Sequence, residues 1–306
     1  MKKPVNISIL WFFSLILLSL LLFLPHAYGQ DKVPAYVGSN ACKECHQEYY
    51  DSYMKSIHAK KAIPGSPAAG QACESCHGPG DGHAKKGGEK GLILAFGRQV
   101  KANKKSAACL SCHENSKELT SWNMGRHKTM DVSCDNCHAV HSNTRKALKA
   151  SEPALCLPCH KEVRNQINRQ SRHPIQAGKV KCTDCHTPHG GFGPKMIKAD
   201  STTDLCYKCH AEKRGPFAFE HPPVSENCAT CHQVHGSNHN NLLVSKTPQL
   251  CQSCHNPGFG HTSRAYTLQH SFSGSAAANM NKFYGQGCLN CHGNIHGSNR
   301  SPNFER

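Results

Sequence analysis

Twenty cysteines run through the 306-residue chain, and every one belongs to a Cys-x-x-Cys-His unit. The ten units pair Cys42 with Cys45, Cys73 with Cys76, Cys109 with Cys112, Cys134 with Cys137 and Cys156 with Cys159. They continue with Cys182 and Cys185, Cys206 and Cys209, Cys228 and Cys231, Cys251 and Cys254, and Cys288 and Cys291. The histidines that follow directly are His46, His77, His113, His138, His160, His186, His210, His232, His255 and His292. Two thiols three residues apart and an imidazole beside the second can all reach one porphyrin, the thiols as thioethers to its edge and the imidazole as a ligand to its iron. This is the attachment signature of haem c. Zinc sites pair Cys-x-x-Cys units without requiring a histidine after each. A disulfide framework has no use for that histidine either, and a thioredoxin-like redox pair would want a βαβ context that is absent. The expected cofactor is therefore ten covalent haems c, with the cysteines as thioether sites and the ten histidines as proximal ligands.

A second set of histidines alternates with the motifs. After the even-numbered motifs another histidine follows almost at once: His83, His141, His189, His235 and His296. After the odd-numbered motifs it lies 11 to 15 residues beyond the proximal histidine: His58, His127, His173, His221 and His270. These ten are the candidate distal iron ligands. His261 competes with His270, whose offset fits its counterparts better, and His239 reads as a surface or propionate-contacting residue. Side chains three apart lie on one side of the backbone, so His189 cannot oppose His186 across one ring and must serve a different haem. If each double unit is self-contained, His189 caps the haem of Cys156/Cys159 and His173 that of Cys182/Cys185. Exchange between neighbouring units would use the same histidines in another pairing. Met54, Met124 and Met130 read as packing residues.

The elements that position these groups must be slight. Proximal histidines from His113 to His255 recur every 22 to 26 residues, too little polypeptide for a globular domain around each. Long aliphatic runs are scarce after residue 29, so the porphyrins themselves should form the apolar interior. The expected fold is a multihaem cytochrome c: elongated, with short α-helices and loops around ten stacked haems and very little β-sheet. Helices are expected after odd motifs, as over 161–170. Candidate helix starts lie in KASEPALC, KADSTTDLC and VSKTPQLC. Five di-haem units span about 40–84, 107–142, 154–190, 204–236 and 249–297. The apolar insertion GLILAF (91–96) reads as packing on a haem edge, or as a partner-docking strand.

Residues 1–29 read as a signal peptide: Lys2 and Lys3, an apolar run from Ile7 to Leu24, and small residues in Ala27-Tyr28-Gly29 before Gln30. The run is long enough to be kept instead as an anchor. Residues 30–306 then form one decahaem domain. The formal charge of +16 does not imply nucleic acid. Each ferric haem with two propionates contributes roughly −1, bringing the mature holoprotein to about +4 oxidised. Lys85, Lys86, Lys101, Lys104 and Lys105 read as propionate partners or a solvated face.

Together the export signal, the length, the ten motifs and the double-unit rhythm resemble the periplasmic decahaem cytochromes of the MtrA/DmsE type over essentially the whole mature chain. That resemblance implies an electron conduit without a substrate site of its own, threaded into an outer-membrane β-barrel porin. It would accept electrons from a periplasmic or inner-membrane cytochrome and meet an outer-surface multihaem cytochrome or terminal reductase. The alternatives are a soluble periplasmic shuttle, and a multihaem reductase of nitrogen or sulfur oxyanions. A reductase needs an open iron, often marked by Cys-x-x-Cys-Lys, which does not occur here.

Overall fold

Each Cys-x-x-Cys-His unit closes one turn. The amide of its histidine donates to the carbonyl of its first cysteine, at 2.9 Å from His46 to Cys42, 2.9 Å from His138 to Cys134 and 2.8 Å from His255 to Cys251. Positions i, i+3 and i+4 of such a turn share a face, so both thiols and the imidazole point the same way. The computed structural model describes residues 35–255 and 287–305. The leader, His261 and His270 lie outside them.

Helices are short because glycine and proline recur between motifs. The longest among the described residues is Ala102–His113 (α1), rich in alanine and lysine, which delivers the third motif at its C-terminal end and packs on the turn Cys134–Cys137. Lys161–Gln166 (α2) follows the fifth motif, shorter than the expected 161–170. Thr202–Tyr207 (α3) begins as KADSTTDLC leads one to expect: the Ser201 hydroxyl caps it by accepting from the Asp204 amide at 3.0 Å. KASEPALC makes only turns, and in VSKTPQLC the helix is the single turn Gln249–Gln252.

No strand occurs among the described residues; there are isolated bridges such as His138 to Leu148 and Ser171 to Ser237. GLILAF is not a strand either. Ordinary core is sparse: among the described residues the buried apolar ones are Tyr53, Trp122, Ile167, Ile175 and Ile197. Met54, Met124 and Met130 are exposed rather than packed. Lys105, expected on a solvated face or at a propionate, is buried and ion-paired to Asp135 at 3.1 Å. Lys85 and Lys86 pair with Asp81 and Glu89. No described helix is long and apolar enough to cross a membrane.

Candidate functional site

The ten motifs share one continuous cavity of about 5860 Å³, lined by all twenty cysteines, all ten proximal histidines and the nine described candidate distal histidines. That is roughly 590 Å³ per motif, within the range of a pocket for one ligand of drug-like size.

Inside it the imidazoles meet in pairs. A proximal ring faces a second ring at centroid separations of 6.0–6.5 Å: His46 with His83, His77 with His141, His113 with His58, His138 with His189 and His160 with His127. The series continues with His186 and His235, His210 and His173, His232 and His296, and His255 and His221. Metal–imidazole bonds of about 2 Å on each side, extended from nitrogen to ring centre, put two axial rings roughly 6 Å apart. The residues present therefore fit haem iron held between two histidines.

The pairing departs from the self-contained units expected from sequence. Only His83 stays within its own unit, opposite His46. His189 faces His138 rather than His160, and His173 faces His210 rather than His186. The rule is an exchange. Each even motif from His77 to His232 takes the short-offset histidine of the next unit, and each odd motif from His113 to His255 takes the long-offset histidine of the preceding one. The reason lies in the seams between units. The Nδ1–H of His127 donates to the Pro188 carbonyl at 2.8 Å, that of His173 to Val234 at 2.7 Å and that of His221 to Ile295 at 3.2 Å. Each acceptor immediately precedes the candidate distal histidine of the following unit, so one backbone segment orients two rings.

Proximal rings are fixed in a second way that sequence reading missed. Lys146, Lys195 and Asn241 adopt left-handed conformations at φ 59°, 53° and 56°, which aim their carbonyls at Nδ1 of His138, His186 and His232 at 2.9, 3.1 and 2.8 Å. The next residues, Ala147, Met196 and Leu242, are also left-handed, and their carbonyls accept from the amides of Ala139, Thr187 and Gln233. Non-glycine residues held there cost about 1–3 kcal/mol each, strain that the surrounding hydrogen bonds must offset. In the first unit GLILAF does this work: the Leu94 carbonyl accepts from His77 Nδ1 at 2.7 Å, and Phe96 packs edge-on against His77 at 5.4 Å. An Nδ1–H committed to a carbonyl leaves Nε2 as the unprotonated, metal-binding nitrogen. Burial, first among the causes, lowers His58, His141, His189, His221, His235 and His296 below the usual imidazole range, favouring that neutral form.

The missed signal was a repeated dipeptide: His189-Gly190, His235-Gly236 and His296-Gly297. A Cβ on Gly190 would press on the backbone of Ser121, one on Gly236 on that of Gln166, and one on Gly297 on the Phe217 ring. Glycine lets the distal loop seat against the preceding unit.

The thiols also form a series. First cysteines of the two motifs in a unit face each other, as Cys42 does Cys73 and Cys251 does Cys288. Burial, then the facing thiol, pushes both Cys42 and Cys251 up to about 11. Across the seams the second cysteines lie near enough to act on one another electrostatically: Cys112 on Cys76, Cys159 on Cys137, Cys209 on Cys185 and Cys254 on Cys231.

Comparison with known proteins agrees with this chemistry. A model of the doubled CXXCH motif matches residues 173–215 and 221–259, each match running from a long-offset histidine through an even motif into the next odd one. A model of NrfB-like c-type cytochromes matches residues 73–154. The chain is 41% identical over 267 residues to the multiheme cytochrome MtrA of Shewanella baltica, covering 86% of this chain and 79% of that protein. It is 26% identical to the high-molecular-weight cytochrome c of Nitratidesulfovibrio vulgaris, over 61% of this chain and 38% of that one. It is 24% identical to the polyheme cytochrome OmcB of Geobacter sulfurreducens, over 70% of this chain and 28% of that one.

Proposed function

Because the chain belongs to the MtrA family of multihaem cytochromes, we propose that it conducts electrons along ten bis-histidine haems c, between periplasmic redox partners and the outer membrane or cell exterior. That it is an electron-transfer protein carrying covalent haem c follows from the family and the motifs. The observation that supports the longer reading is the exchange of histidines across every described seam within one cavity. Haem c held between such histidine pairs would supply a one-electron iron couple.

The chain's own residues supply the rest. The cysteines would anchor the porphyrin edges and the paired imidazoles would hold the irons, with Nδ1 of His77, His127, His138, His173, His186, His221 and His232 already committed to backbone carbonyls. The shared cavity and the histidine pairs that cross each described seam keep successive sites adjacent, so charge can pass between neighbours along the chain. His270 is proposed to complete the tenth site. The five di-haem units and the export of residues 30–306 as one domain belong to the same reading, with Ile7–Leu24 and Ala27-Tyr28-Gly29 as its signal. An outer-membrane β-barrel porin and an outer-surface multihaem cytochrome or terminal reductase are the proposed partners, with a periplasmic or inner-membrane cytochrome as donor.

The test is reconstitution. The holoprotein should carry ten haems by mass, all low-spin by electron paramagnetic resonance. Joined to its barrel in liposomes, it should let an external reductant reduce an enclosed viologen dye. Dye that stays oxidised with both components inserted would refute the conduit, and a five-coordinate haem in the unaltered protein would favour a reductase.

A further inference from the structure

In each of the first four double units a residue just upstream of the odd motif contacts the first turn of the even motif, and the charge of this link changes along the chain. In the first unit Glu74, between Cys73 and Cys76, is 2% exposed and accepts from the amides of Val37, Gly38 and Gly80 at 3.1, 2.8 and 2.7 Å. The Gly38 carbonyl oxygen in turn lies 3.6 Å from Cys42 Sγ. In the second unit Lys105 pairs with Asp135, between Cys134 and Cys137. In the third Glu152 accepts from the Thr183 amide and hydroxyl at 2.8 and 2.7 Å, with Thr183 directly after Cys182. In the fourth the neutral Thr203 hydroxyl accepts from the Cys228 amide at 3.3 Å. Among the described residues neither Glu74 nor Glu152 forms an ion pair with lysine or arginine. The links therefore carry one negative charge, none, one negative charge and none.

We propose that these links tune reduction potential along the chain, Glu74 and Glu152 lowering it at the first and third haem pairs while Lys105–Asp135 and Thr203 leave the second and fourth higher. This rests on the ligation reading above. A carboxylate beside the thioether edge favours the more positive, ferric iron, and in a partly buried setting the interaction is far stronger than in water. A neighbouring ammonium cancels it. Electrons then reside on the second and fourth pairs and pass over the first and third as steps. Glu74 and Glu152 act here as positioning residues for charge, touching no iron.

The experiment is spectroelectrochemical titration of the holoprotein and of Glu74→Gln, Glu152→Gln and Lys105→Met. Glutamine keeps the size and an acceptor while removing the charge. Each Gln variant should raise the reduction constant of one haem pair about tenfold, a shift of about 59 mV for a one-electron couple. Lys105→Met uncovers Asp135 and should shift its pair the opposite way. Superimposable curves, or shifts of one sign in all three variants, would overturn the proposal. Glu152→Gln decides alone if Glu74→Gln, which also loses a backbone anchor, does not assemble. Haem count and spin state, taken first on the unaltered protein, test the ligation reading separately.

Discussion

Replacing Gly190 by alanine should unseat the histidine before it. Gly190 sits at φ +113° directly behind His189. A Cβ there would lie 2.8 Å from the Ser121 carbonyl carbon, closer still to its oxygen, and 3.2 Å from Gly125 Cα. All of these are backbone atoms of the preceding unit, so no side chain can swing aside. Relief requires a backbone shift of about 1 Å, and overpacking of this kind costs about 1–3 kcal/mol. An alanine held at that φ costs about 1–3 kcal/mol more. The combined penalty, about 2–6 kcal/mol, is a large fraction of the stability of an ordinary domain. Withdrawal of the 189–193 loop is the easier response, and it carries His189 away from His138. Electron paramagnetic resonance of the oxidised holoprotein should then show one high-spin haem beside nine low-spin ones. Gly87→Ala is the control, since Gly87 has φ +63° but open space around its Cβ position; it should stay wholly low-spin. A Gly190→Ala protein with ten haems, all low-spin, would refute the claim that this glycine seats the ligand.

His189→Ala should leave the haem at Cys134/Cys137 five-coordinate. Adding Cys134→Ala and Cys137→Ala should abolish the high-spin signal, whereas adding Cys156→Ala and Cys159→Ala should not. Cys206→Ala with Cys209→Ala should lower the holoprotein mass by one haem from ten, read by intact-protein mass spectrometry. Ile167→Ala removes the largest fully buried side chain and should cost about 2–5 kcal/mol, seen as a lower thermal unfolding midpoint with haem content unchanged.

The parts of this protein that depend on local covalent reach were plain in its sequence. A cysteine pair and its histidine must lie on one turn, so the motifs, the scarcity of sheet and the shortness of helices such as Lys161–Gln166 follow from spacing alone. The candidate distal histidines were read from their alternation with the motifs, and the nine described ones each face a proximal ring. The partner of each was not legible, because His189 lies as plausibly near His160 as near His138 along the chain, and only the packing of one unit on the next separates them. Lys146, Lys195 and Asn241 gave no warning of their left-handed turns, being neither glycine nor, in two cases, asparagine. Lys105, expected at a propionate or on a solvated face, is buried because Asp135, 30 residues away in sequence, neutralises it.

The crossed histidines also impose an order of completion. His127 precedes His160 by 33 residues, whereas His189 trails His138 by 51. With the proposed ligation, a chain delivered N-terminus first can finish each odd site from His113 to His255 as soon as its motif arrives, but each even site from His77 to His232 waits half-built for the unit behind it. Cutting the polypeptide between the second and third units would leave a one-sided iron on both fragments, His138 on one and His160 on the other. The molecule thus resembles a zip fastener, whose length is settled by its two end pieces and cannot be trimmed one tooth at a time.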